Sequence, residues 1–197
     1  MELSGNCYKI RLFLSILDIE YTKIPVNVKS GENTTPEFLQ MNPNGLVPVL
    51  IDGSTTIYDS AAILTYLAKT YADESWLPSE AIPLANVIRW LTFEQNEGRY
   101  GLARARAITL NMPSPLARLG TLEDSQALGN VALDALNRQL METDWLAGGS
   151  KPTICDIACY PYTVLSVNGG LSLQPYSAVR RWLENIENLD GYVVQSG

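Results

Sequence analysis

Three short groups of residues carry the polar chemistry of the first half of this chain: Ser4-Gly5-Asn6-Cys7, Val47-Pro48 and Asp59-Ser60. Ser4 and Asp59-Ser60 each stand where a helix would begin, the place where a side-chain oxygen caps free backbone N–H groups. A helix start also favours negative charge, through those N–H groups and the helix dipole. Read locally, both groups are equally well explained as plain caps. Val47-Pro48 opens the apolar run Val47 to Ile51, and a proline there withdraws one donor from a strand ladder. A trans proline on an edge strand accounts for it. So does a cis bond that turns the neighbouring backbone groups toward an extended ligand. Cys7 is a rival nucleophile, but about one turn inside its helix, where burial would raise its pKa, it reads as a structural cysteine, and Tyr8 follows within the same helix.

Composition removes many alternatives. The 197 residues include no histidine, which excludes a Ser-His-Asp or Cys-His triad and any His-ligated zinc. Three scattered cysteines, an odd number, make neither a disulfide framework nor a structural zinc site, and they fit a reducing, cytoplasmic setting. No phosphate-cradling glycine motif occurs. A net charge of −7 disfavours nucleic acid and anionic membranes as partners. No apolar window is long enough to span a bilayer, and no signal-peptide pattern opens the chain.

The elements that must position these groups follow from periodicity. A helix after Ser4 carries Ile10, Phe13, Leu14 and Leu17 on one stripe. Tyr21 to Val28 alternates and reads as a strand, placed near an edge by Pro25. Pro36 starts a short helix to about Met41. Asp52-Gly53 is a hairpin signal between the Val47 run and Thr55 to Tyr58. The helix after Asp59 uses Ile63, Tyr66, Leu67 and Tyr71. Beyond a linker over residues 73–82 the pattern is helical to the end. Pro83 starts a long helix on Leu84, Val87, Ile88 and Leu91 that runs toward Asn111, with Gly98 and Gly101 interrupting it. A second helix carries Leu128, Val131, Ala132, Ala135 and Leu136. A third, about Thr153 to Ser166, is nearly all apolar and opens on Thr153 with Asp156 three places on, close to a capping box. The last uses Val179, Trp182, Leu183 and Ile186. Two domains are expected, a small α/β one over residues 1–72 and an all-α one over 83–197.

Together these features resemble a cytosolic glutathione transferase, over essentially the whole chain. The most specific parts are N-P-N-G-L-V-P-V-L with D-S-A-A-I-L-T-Y-L, and S-K-P-T-I-C-D-I-A in the helical half; the opening S-G-N-C-Y-K is similar to bacterial members of the serine-using type. The resemblance implies a thioredoxin-like N-terminal domain, a C-terminal helical bundle, glutathione as cosubstrate without a metal, and a homodimer. It implies a cis bond at Val47-Pro48. It makes Ser4 the catalytic residue, donating a hydrogen bond to the glutathione thiolate in a C-x-x-C-like motif whose outer cysteine is serine. It places Asp59 and Ser60 on the γ-glutamyl end, the Val47 backbone on the cysteinyl unit, and Asn33 near the glycyl carboxylate. Asn96, Glu97, Tyr100 and Arg104 become candidates for the pocket of a small hydrophobic electrophile, with a solvated face or dimer contact as the plainer reading. Thr153 and Asp156 match a capping motif that serves folding.

Only Met1-Glu2-Leu3 precedes Ser4, where the family carries a full strand, so the first strand is expected to be short or missing. Besides conjugation or thiolytic displacement, two further functions follow: a non-catalytic binding or assembly module, and reduction of peroxides by bound glutathione.

Overall fold

The computed structural model describes residues 3–195. Met1 and Glu2, expected in the short first strand, lie outside the described residues; Leu3 stands in a turn and is exposed. Helix α1, Gly5–Ile16, begins on Ser4, whose oxygen accepts the Cys7 amide at 3.3 Å. Its buried side is Tyr8, Ile10, Leu12, Phe13 and Leu14. A short α2, Pro36–Met41, starts on its proline with Thr35 as cap, as the fixed φ of proline favours. Strands β1, Val49–Asp52, and β2, Thr55–Tyr58, form an antiparallel hairpin in which Asp52 faces Thr55. The turn is therefore Gly53-Ser54, one residue later than the Asp52-Gly53 signal suggests. Helix α3, Ser60–Tyr71, follows directly and packs on α1 through a face that includes Ile63, Leu64 and Leu67.

One expected element does not form. Tyr21 to Val28 is not a strand; it is irregular up to a single 3-10 turn that begins at Val28. Its alternation is genuine, but Tyr21 and Ile24 are exposed, and among the described residues the only sheet is the β1–β2 pair. A strand exists only through a neighbour that takes its backbone groups, and no ladder partner lies beside this segment.

The second half is helical, giving the expected α/β plus all-α arrangement, thioredoxin-like and then a helical bundle. Helix α4, Ala81–Phe93, continues through a π-helical segment, Glu94–Ala103, into α5, Arg104–Thr109. The interruption falls where Gly98 and Gly101 lower helix propensity. Gly101 also lets this helix touch α6, Leu122–Glu142: a Cβ there would sit 2.6 Å from the Gly129 nitrogen. The buried face of α6 is Ala132, Leu133, Leu136 and Leu140, while Leu128 and Val131, expected inside, are exposed. Helix α7, Ile154–Val164, is the hub, packing on α1, α3 and α4. The last helix, α8, is Ser177–Glu187. Asp156 closes the capping box with Thr153 and also accepts the Leu146 amide and the Trp182 indole N–H, each at 2.9 Å. Burial pushes its pKa up, and these donors oppose that shift. Between the halves, Leu77 is buried and Trp76 lies edge-on to Phe13 with centroids 5.0 Å apart.

Candidate active site

Ser4 is half-buried at the start of α1. Capping uses a lone pair of its oxygen, so its proton is available to an anionic acceptor. The two other groups form one continuous piece of chain. The Val47–Pro48 bond is cis and leads into β1; β2 leads into Asp59, the cap of α3. Asp59 holds φ at +73°, a region uncommon for residues with a side chain, and one of its carboxylate oxygens accepts the Ala61 amide at 2.9 Å. The carboxylate is exposed, while Ser60 behind it is buried. Helix α1 packs on α3, so the helix that begins at Ser4 and the helix that begins at Asp59 are neighbours.

The loop into Val47 is held by two asparagines. Asn33 Nδ2 donates to the Gly45 carbonyl at 2.7 Å, and buried Asn42 donates to the Leu46 carbonyl at 2.7 Å. Asn33, expected near the glycyl end of a ligand, thus has its amide engaged in shaping this loop.

Of the residues expected from the long helix, Asn96 is exposed, and Glu97 and Tyr100 are half-buried. Arg104 is buried: its Nε donates to Ser125 Oγ at 2.7 Å, its Nη1 to the Leu119 carbonyl, and its guanidinium lies over the Tyr100 ring. Its donors therefore hold α5 to the start of α6.

Other residues meet the first turn of α1, and sequence reasoning missed them. Arg106, 3% exposed, donates from Nη1 to the Leu3 carbonyl at 2.9 Å. Tyr162 of α7 lies against Gly5, where a Cβ would come within 2.5 Å of its ring. Lys9 is fully buried, and its ammonium bonds Asn6 Oδ1 at 2.8 Å and Glu94 Oε1 at 2.6 Å. It also lies 5.0 Å from the Tyr162 ring centroid. Burial pushes the Tyr162 phenol well up, so it is a neutral group at any ordinary pH. Nothing local in the sequence marks these contacts; a lysine inside an apolar helix stripe was the one visible sign. Cys7 is half-buried, whereas burial pushes the Cys155 and Cys159 thiols well up.

Two open grooves lie elsewhere. One, about 570 Å³, runs between the end of α1 and Val193-Val194; the other, about 380 Å³, lies between α4 and α6 beside Trp90 and Phe93. Among the described residues no cluster of potential metal ligands occurs, and no helix is long and apolar enough to cross a membrane.

Comparisons with known proteins agree with this fold. Residues 3–70 match the family described as glutathione S-transferase, N-terminal domain. The chain is 30% identical over 187 residues to the glutathione S-transferase GstB of Escherichia coli, covering 93% of this chain and 88% of that protein. It is also 30% identical over 190 residues to the disulfide-bond oxidoreductase YfcG of the same organism, covering 93% and 86%. The crystal structure of a glutathione S-transferase from Pseudomonas fluorescens superposes with a TM-score of 0.89 at 34% identity, over 98% of this chain and 95% of that one.

Proposed function

The chain belongs to the glutathione S-transferase family, and from that premise we propose that it uses the glutathione thiolate to add to, or displace a group from, small hydrophobic electrophiles. The observation that carries this reading is the β1–β2 hairpin after Val47-Pro48, which runs directly into Asp59-Ser60 at the start of a twelve-residue helix. Such a start receives a carboxylate on free N–H groups, and the Asp59 carboxylate pairs with an ammonium, which together describe the γ-glutamyl end of glutathione. The Val47 backbone takes the cysteinyl unit, and Asn33 borders the glycyl end.

Ser4 is the serine-type catalytic residue in this reading. A thiol near pKa 8.5 is a few per cent ionised at pH 7, and lowering it about two units requires roughly 2.7 kcal/mol. One charged hydrogen bond from Ser4 supplies roughly 1.5–3 kcal/mol and the α1 start about 0.3–1 kcal/mol, which suffices. Asn96, Glu97 and Tyr100 border the electrophile, with Arg104 supporting that helix from behind. The working form is a homodimer in a reducing, cytoplasmic setting.

Asp59→Asn tests the binding half. Asparagine caps as well as aspartate but cannot pair with an ammonium, so affinity for glutathione is expected to fall about ten- to a hundredfold with little change in melting temperature. Unchanged affinity by titration calorimetry would remove Asp59 from the site.

A second reading, thiol–disulfide exchange, is favoured by the relative named as a disulfide-bond oxidoreductase. Serine in the outer place of the motif argues against it. Reduction of a model disulfide by glutathione at a rate lost in Cys7→Ser would support it.

A further inference from the structure

We propose that Arg106 is the positioning residue for Ser4, carrying the fit between the helical half and the thiol-activating start of α1. This rests on the reading that Ser4 faces the thiol of bound glutathione. The observations are independent of that reading. Arg106 stands 103 positions from Leu3 in sequence, yet its Nη1 holds the Leu3 carbonyl, the backbone group immediately before Ser4. The Ser4 carbonyl accepts the Tyr8 amide at 3.0 Å as the first bond of α1, so the Arg106 bond to the Leu3 carbonyl holds the peptide immediately before that helix start. Leu3 stands in a turn, and among the described residues no strand ladder fixes it.

The rest of the guanidinium is unusual. The Nε atom is buried and has no hydrogen-bond partner, and among the described residues no carboxylate forms an ion pair with Arg106. A buried cation is costly unless it is paired. Its neighbours are Met112 Sδ, 3.6 Å from Nη1, and the Tyr162 phenol, which is neutral. Burial lowers the pKa of Arg106 from its very high starting value, yet an arginine stays charged. With no carboxylate partner among the described residues, this positive charge one residue from Ser4 favours negative charge there, and a thiolate is that charge. Arg106 thus acts twice: it fixes the Leu3-Ser4 backbone, and its field lowers the thiol pKa. Arg104, the helix neighbour that sequence alone singles out, spends its donors on Ser125 and Leu119 and does neither.

The test is the ionisation of the thiol of bound glutathione, followed by ultraviolet difference absorption across pH in wild type and variants. Arg106→Met is expected to raise the bound thiol pKa by about one unit, about tenfold less thiolate below that pKa, and to move the kcat/KM profile to higher pH with KM for glutathione within about twofold. Arg106→Lys, which keeps the charge and loses the fork, is expected to move it about half as far. Met112→Leu is expected to leave it in place. If Arg106→Met does not fold, Arg106→Lys decides: an unmoved profile overturns the proposal. So does a shift in Met112→Leu equal to that of the lysine variant, or an unmoved profile in Arg106→Met. If wild type itself shows an unshifted bound thiol, the Ser4 reading fails first, which is a distinguishable result.

Discussion

The Ser4 oxygen accepts the Cys7 amide at 3.3 Å, which uses a lone pair and leaves the hydroxyl proton free to donate. Capping and thiolate stabilisation are therefore compatible in one side chain, and the two readings of Ser4 that the sequence leaves open are not alternatives. Removing the side chain separates their sizes. Loss of a cap costs about 0.5–2 kcal/mol of stability, and loss of a charged hydrogen bond costs roughly 1.5–3 kcal/mol of activation. Ser4→Ala is accordingly expected to lower kcat/KM by about one to two orders of magnitude while KM for glutathione changes little. A drop confined to KM would mean that Ser4 binds without activating. Tyr8 is turned away from this role: it is buried, with its hydroxyl on the Val193 carbonyl at 2.8 Å.

At the scale of elements, two contacts decide whether the site is held in place. The first is the hairpin against α3. Tyr66 donates to Asp52 Oδ2 at 2.8 Å and Tyr71 donates to the same oxygen, and these bonds, Tyr71 first, hold the Asp52 carboxyl below its ordinary value. An acid with a depressed folded pKa stabilises the fold above its unfolded pKa, and that contribution is lost as pH falls through the folded one. Melting temperatures of wild type and Tyr71→Phe should differ near neutral pH and converge as the pH drops below the ordinary carboxylate range. A gap independent of pH would mean the tyrosine acts by packing alone. The second is α5 and its π-helical entry against α6. With 2.6 Å between a Cβ on Gly101 and the Gly129 nitrogen, Gly101→Ala forces the helices apart, at about 1–3 kcal/mol. Chemical denaturation reads this directly, and an unchanged midpoint would show that the helices slide without cost. Helix existence was legible here because apolar residues recur at three and four. Which face is buried was less so: on α6, Leu133 and Leu140 are inside, whereas Leu128 and Val131 are exposed. Tyr21 to Val28 shows the limit, since its alternation is local while a strand needs a neighbour.

At the scale of the whole molecule, one apolar core among the described residues runs from Tyr8, Phe13 and Ile63 in the first half to Trp90, Leu136, Ile157 and Trp182 in the second. The buried Lys9–Glu94 pair lies across the same junction, at 2.6 Å. Removing one partner leaves a bare buried charge, so Lys9→Met alone should cost about 3–5 kcal/mol, whereas Lys9→Met with Glu94→Leu should cost much less. Equal losses in the single and double variants, by denaturant unfolding, would show that the pair contributes only packing. These cross-junction contacts were the least legible part of the site. The groups proposed to face glutathione sit in short motifs, Asn42 to Ser60 above all, whereas Arg106, Tyr162 and Glu94 reach Ser4's helix only through tertiary packing. Catalysis by this site depends, in the reading proposed, on Ser4 meeting a thiol. Titrating the thiol of bound glutathione in wild type and in Ser4→Ala tests that most directly. The account predicts a wild-type thiol about two units below the free value and a return most of the way to it in Ser4→Ala. The same thiol pKa in both proteins would contradict it.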